Sequence, residues 1–164
     1  MNKLKVLIIV LFLSNISFGQ EMFDYEKKIQ NIENYNSIDL EFTNSKDKIQ
    51  LFGTLVEPKS QYDKILIIVP GAGMDTRNSH YLLTESLLEK NIAVLRYDER
   101  GVGKSEGDFN FVNYTIRDMT NDLTVIFDSI KNNSSFSTKK IGLLGHSLGG
   151  MVTMSLVEKG TKPD

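Results

Sequence analysis

A chain of 164 residues with 19 basic and 21 acidic side chains carries a formal charge of −2, and its basic residues stand singly or in pairs such as Lys27-Lys28 and Lys139-Lys140. That distribution excludes a polybasic nucleic-acid surface and needs only a solvated exterior. Cysteine is absent, which rules out disulfides and thiolate metal sites, and no residue pattern calls for a metal or an organic cofactor.

The first nineteen residues read as a targeting segment. Lys3 and Lys5 precede an apolar stretch over 6–13, and Ser17-Phe18-Gly19 places small residues where a signal peptidase reads them. Cleavage after Gly19 and export to a periplasm or the exterior are expected; a retained N-terminal anchor is the competing reading. The apolar stretch falls short of the roughly 20 residues that span a bilayer, so no stable membrane span is expected after cleavage. Losing Lys3 and Lys5 leaves seventeen basic against twenty-one acidic residues, a formal charge of −4. About 145 residues then remain, enough for one domain with a real core.

Residues 20–36 are a polar, Asn-rich lead-in. Residues 37–43 and 49–56 alternate apolar and polar side chains, and 44–48 between them has hairpin-loop composition, which predicts two antiparallel strands. From Lys64 the pattern changes to continuous apolar runs over 65–69, 92–97 and 141–144, separated by helical stretches over 79–90 and 115–131. That is the signature of βαβ units on a parallel sheet. The first helix is expected to turn Tyr81, Leu82, Leu83, Leu87 and Leu88 to one side. The second buries Ile116, Met119, Leu123, Ile126, Phe127 and Ile130 at spacings of three and four. A third follows Ser147, with Leu148, Met151, Val152, Met154, Ser155 and Val157 as its pattern.

The most informative stretch is Gly145-His146-Ser147-Leu148-Gly149, delivered by a short apolar strand and followed by a helix. A serine on so sharp a strand-to-helix turn needs small neighbours two residues before and after it, which Gly145 and Gly149 supply. The turn exposes the Ser147 hydroxyl at the carboxyl end of a sheet, beside the Leu148 amide at a helix N-terminus. Ser147 is therefore the candidate nucleophile. The motif can arise by chance in a Gly- and Ser-bearing loop, but the strand–turn–helix order favours catalysis.

Gly103-Lys104-Ser105 imitates the end of a phosphate-binding P-loop, yet the position that needs the first glycine is Asp98, an anion where phosphates would sit. Likewise Gly101-Val102-Gly103 meets Glu106 where a dinucleotide fingerprint needs glycine. Both nucleotide readings fail.

Taken in order, Pro70-Gly71-Ala72-Gly73, Asp98-Glu99-Arg100-Gly101-Val102-Gly103-Lys104-Ser105 and the Ser147 pentapeptide resemble three motifs of the α/β-hydrolase superfamily, particularly its bacterial esterase, acyl-peptidase and serine aminopeptidase-like branches. The resemblance runs from about Ser37 to the C-terminus. It implies an α/β fold: the N-terminal portion of an α/β-hydrolase domain over 37–164, an antiparallel strand pair followed by parallel βαβ units, cut off after the helix that follows Ser147. It also implies that the first loop supplies an oxyanion-hole donor, the backbone amide of Ala72 or Gly73, to join that of Leu148. Proline stands where the family usually has histidine, which leaves the backbone donor intact. The second loop, with Asp98, Arg100, Gly101 and Gly103, is implied to be structural, an Asp98 to Arg100 interaction bracing it.

Serine acyl transfer also needs a histidine base and a carboxylate to orient it, following the serine in the chain order of this fold. Only seventeen residues follow Ser147, with Glu158 and Asp164 among them but no histidine. His146 is the variable residue of the turn, its side chain expected to point away into packing, and His80 reads as a surface or helix-terminus histidine. The expectation is a serine hydrolase of small-molecule esters or amides whose acid and histidine lie in a missing C-terminal half. The alternative is a non-catalytic half-domain that binds a ligand or another subunit. The exposed edge of the nucleophile strand would then be an association hazard.

Overall fold

The expected hairpin forms β1 (Tyr35–Asn44) and β2 (Ile49–Pro58), paired antiparallel in register from Tyr35 opposite Pro58 to Asn44 opposite Ile49. Structural description comes from a computed structural model and covers residues 26–110 and 112–164. The targeting segment lies outside the described residues. Next in the chain come β3 (Lys64–Val69), α1 (Tyr81–Leu88), β4 (Ala93–Tyr97), α2 (Ile116–Lys131), β5 (Lys140–Gly145) and α3 (Leu148–Glu158). The five strands form one sheet in the order β1-β2-β4-β3-β5, with β2 antiparallel to β4, and β3 parallel to both β4 and β5.

The continuous apolar runs are explained by burial on both faces. Ile65, Ile67 and Val69 of β3 share one core with Leu95 of β4, Leu123, Ile126, Phe127 and Ile130 of α2, and Val152 and Leu156 of α3. Their alternates Ile68 and Val94 face Leu88 of α1 and Ile29 of the lead-in. From β3 the chain passes to β4 on one side and later returns to β5 on the other. The carboxyl ends of β3 and β5 thus meet at a switch in strand order, where open α/β sheets hold their ligands.

Local signals fix the helix starts. Thr115 caps α2 in a reciprocal box with Asp118, whose carboxyl is held below its usual range chiefly by the Thr115 hydroxyl. Two apolar stripes differ from expectation. Of the apolar residues of the eight-residue α1 only Leu88 is buried, with Leu83 and Leu87 partly so, and Leu82 is exposed. In α3 Val152 and Leu156 face the core, while Met151, Met154 and Val157 lie exposed because no described element covers them. Among the described residues β5 pairs with β3 alone. At its start, Asp164 donates its amide to the Ile141 carbonyl at 3.0 Å, and its carboxylate accepts the Ile141 amide.

The loop after β4 is braced differently from the sequence expectation. Asp98 and Arg100 do not pair with each other. Asp98, almost wholly buried, accepts from Arg77 at Nε and Nη2, whereas Arg100 reaches across to Asp122 of α2 and Asp47 of the hairpin turn. The chain has already left β4 at residue 98, and along this turn Asp98 and Arg100 find separate partners. Gly103, at φ 62°, is needed because any Cβ there would collide with the Asp98 carboxylate. The Lys104 amide donates to Asp98 Oδ2 at 2.7 Å, so the turn that imitates a phosphate loop already holds the chain's own anion.

Asp122 also accepts from Asn44 Nδ2 at 2.7 Å and Tyr114 Oη at 3.3 Å, tying α2 to the hairpin and the loop. Its hydrogen bonds are the main reason that Arg100 is pushed above its ordinary range, ahead of those from Asp47. Replacing Asp122 by alanine strands a largely buried guanidinium. The variant is expected to lose about 3 kcal/mol of stability in urea unfolding, the scale for breaking a buried ion pair.

Candidate active site

Ser147 sits at φ 50°, ψ −118°, a conformation that costs a non-glycine residue on the order of 1–3 kcal/mol and persists only where its surroundings enforce it. Here the enforcement comes from close packing on both sides. A Cβ on Gly149 would fall inside the carbonyl oxygens of Val69 and Pro70, and one on Gly145 would lie 2.5 Å from the Gly149 carbonyl. The His146 amide donates to the Val69 carbonyl at 3.0 Å, and Gly149 donates to the His146 carbonyl at 2.8 Å, closing the turn into α3. Ser147 is exposed at the carboxyl end of β5.

The loop after β3 lies directly against this turn. A Cβ on Gly71 would stand 3.3 Å from Ser147 Cβ and 3.1 Å from His146 Nδ1. Ala72 and Gly73 follow at the surface, and no described atom lies within 4 Å of the space a Gly73 side chain would take. Among the described residues, neither the Ala72 nor the Leu148 amide donates to a protein acceptor. The turn at Ser147 and Leu148 thus lies against Gly71, and Ala72 and Gly73, the donors that the family resemblance implies, are the next residues of that loop. Gly101 and Gly103 serve the structural loop instead, both at positive φ.

A cleft of about 340 Å³ opens beside the turn, lined by Gly71, Ala72, Gly73, Asp75, Ser79, His80 and His146. His146 points to solvent rather than into packing, and its ring meets that of His80 edge-on at 5.0 Å. His80 occupies the N-cap position of α1, where the helix-terminus reading placed it, but it is half-buried rather than free on the surface. Its Nδ1 shares a 2.8 Å hydrogen bond with Ser79 Oγ. Burial lowers its pKa, opposed by Asp75, with His146 and Arg96 adding to the lowering. Glu158 and Asp164 lie at the far end of β5 and α3 from Ser147, so neither faces the candidate nucleophile. Among the described residues no three His, Asp or Glu side chains gather as a metal site.

The residues that sequence reasoning missed are those that hold the loop after β3. Asp75 donates its amide to Glu99 Oε2 at 2.9 Å, Thr76 to Glu26 Oε1 at 2.9 Å, and Arg77 to Asp98 Oδ1 at 2.7 Å. Three successive amides thus go to three carboxylates from two distant segments. The partners lie dozens of positions apart, with no local spacing to reveal them.

Glycine at position 149 is the most sensitive point of this packing. Gly149→Ala is expected to cost about 3 kcal/mol or more in urea unfolding, at the upper end for overpacking against rigid backbone. Alanine at Gly73, where the space is open, should cost far less.

Comparison with known proteins places this geometry in a family. A family profile described as "Serine aminopeptidase, S33" matches residues 60–163. The fold is similar to that of the Pyrococcus furiosus esterase Pf2001, with a TM-score of 0.64 and 28% identity, covering 79% of this chain and 48% of that one. It is also similar to Est1E of Butyrivibrio proteoclasticus, solved with ferulic acid bound, with a TM-score of 0.61 and 26% identity over 73% of this chain and 47% of that one. The RutD protein of Variovorax paradoxus, whose name is that of a carbamate hydrolase, is 37% identical over 71 residues, 43% of this chain and 24% of its own length. The chain spans about half the length of the structures it matches. With the profile covering β3, β4 and β5, both loops and the Ser147 turn, the chain belongs to the serine aminopeptidase S33 family and carries part of the α/β-hydrolase fold.

Proposed function

We propose that this chain carries the nucleophile and oxyanion hole of a serine hydrolase that cleaves small-molecule carboxylic esters, with amides as the second substrate class. The observation that carries the reading is the forced backbone of Ser147 on a strand–turn–helix, beside a loop whose Ala72 amide has no acceptor among the described residues. Ser147 Oγ attacks the acyl carbon, a base takes its proton, and the Leu148 and Ala72 amides, with Gly73 as the alternative donor, receive the developing oxyanion. Backbone donors suit the task because the fold fixes them before reaction. Departure of the alcohol or amine leaves an acyl-enzyme on Ser147, which water then cleaves.

The base and its orienting carboxylate are proposed to come from polypeptide that pairs along the open edge of β5. Support comes from that edge, unpaired among the described residues, from the exposed Met151, Met154 and Val157 on α3, and from the Asp164 backbone already bonded to Ile141. His80 and His146 are the two histidines of the sequence, and both line the cleft beside the turn, His80 Nδ1 sharing a hydrogen bond with Ser79 Oγ.

A fluorophosphonate probe tests the nucleophile. The protein from its native source should label at Ser147, and Ser147→Ala should abolish labelling; labelling that survives the substitution overturns the assignment. A folded native protein that never labels favours the alternative, a non-catalytic binding half-domain. Export is proposed on the first nineteen residues. Intact mass of the secreted or periplasmic protein should then place its N-terminus at Gln20, and an N-terminus at Met1 overturns cleavage.

A further inference from the structure

We infer that Glu99 is a positioning residue for the oxyanion loop, holding Ala72 in place through the main chain and side chain of Asp75. Glu99 and Asp75 exchange two hydrogen bonds: the Asp75 amide donates to Glu99 Oε2 at 2.9 Å, and the Glu99 amide donates to the Asp75 carbonyl at 3.2 Å. Burial raises the Asp75 carboxyl above its ordinary range, and the Gly71 amide is among the groups that oppose the rise; both residues line the same cleft. Gly71 immediately precedes Ala72 and lies against Ser147. A short chain of contacts therefore runs from a side chain on the loop after β4 to the proposed oxyanion donor.

Glu99 differs from the other two carboxylates that bind this segment. Asp98 is neutralised by the Arg77 guanidinium at 2.7 Å, and Glu26 takes both the amide and the hydroxyl of Thr76. Glu99 is 3% exposed, and among the described residues no cation forms an ion pair with it. The groups facing it are Asp75 from the loop, Asp122 from α2, Tyr97 from β4 and Tyr114 from the segment before α2. Burial is the main cause that lifts its pKa to about 8, with Asp75 and Asp122 adding to the rise and the Asp75 amide opposing it.

The sign follows from which form binds the amide better. Above pH 8 Glu99 is a carboxylate, and its bond from Asp75 is charge-assisted; below it, the neutral acid accepts more weakly through one oxygen. The clamp on the loop tightens as pH rises. Global stability moves the other way: a carboxyl whose folded pKa exceeds its unfolded value binds an extra proton in the folded state. Its contribution is therefore lost as pH rises from about 4.5 to about 8. These opposite signs separate a local clamp from general loosening.

The catalytic consequence rests on the Ser147 reading, but the test does not. Amide resonances of the intact chain are followed from pH 6 to pH 10 in the native protein, Glu99→Gln and Glu99→Leu. The Asp75 amide is expected to show a step near pH 8 in the native chain and none in Glu99→Gln, whose carbonyl still accepts but does not titrate. In Glu99→Leu, Asp75 exchange should quicken about tenfold while the Leu55 amide in the sheet keeps its protection. A step that persists in Glu99→Gln, its absence from the native chain, or unchanged Asp75 exchange in Glu99→Leu overturns the inference. If Glu99→Leu does not fold, the Glu99→Gln titration decides alone. Loss of Ser147 labelling with the Asp75 step intact would sink the hydrolase reading and leave the clamp standing.

Discussion

The contact on which the rest of the structure depends is the seating of the Gly149 backbone on the carbonyl oxygens of Val69 and Pro70. It joins the end of β3 to the first turn of α3 with no side chain between them. The two strands are already neighbours in parallel register from Lys64 opposite Lys140 to Val69 opposite Gly145, so their carboxyl ends arrive together. What the contact adds is tightness: the chain leaving β5 must reverse at once, and that reversal holds Ser147 in a strained conformation. Strain of this kind persists where rigid neighbours over-determine the backbone. The same contact sets the distance between Ser147 and the Gly71-Ala72 loop, which no flexible side chain could fix as well.

Around this seam the molecule buries carboxylates, and it treats them unequally. Asp98 and Asp122 each face a guanidinium, Arg77 and Arg100, with several further donors to satisfy the remaining lone pairs. Buried charge is tolerable under those conditions because pairing and hydrogen bonds offset desolvation. Arg96, on the α1 face, donates to the Ser79 carbonyl but leaves its Nε without a partner, and burial lowers its pKa to about 10. Glu99 has the opposite imbalance, acceptor capacity without a cation. A domain that only had to fold would gain from neutral side chains at such places. Their position beside the loop after β3 ties them to the site rather than to the core.

The hairpin, the parallel run of β3, β4 and β5, the helix α2 and the turn at Ser147 were all legible in the sequence, because each depends on residues close together in the chain. Period-two alternation gave β1 and β2, continuous apolar runs gave the strands buried on both faces, and the glycines flanking Ser147 gave the turn. The structural character of the Asp98–Ser105 loop was legible too. Its wiring was not: Asp98 binds Arg77 and Arg100 binds Asp122, partners twenty-one and twenty-two positions away. Nor did periodicity tell that Leu82, Met151, Met154 and Val157 stay exposed, since an apolar stripe on a helix records which face could be buried, and only the neighbouring elements decide whether it is.

The sequence by itself therefore determined the order of elements, the tight turn at Ser147 and the family to which the chain belongs, because these are written in short motifs and local periods. Tertiary structure alone decided which carboxylate holds which amide and how near Gly71 comes to Ser147. It also turned His80 and His146 edge to edge over a shared cleft. Those relations arise from strands that are distant in sequence and adjacent in the sheet, and hydrogen bonds over such separations leave no spacing to read.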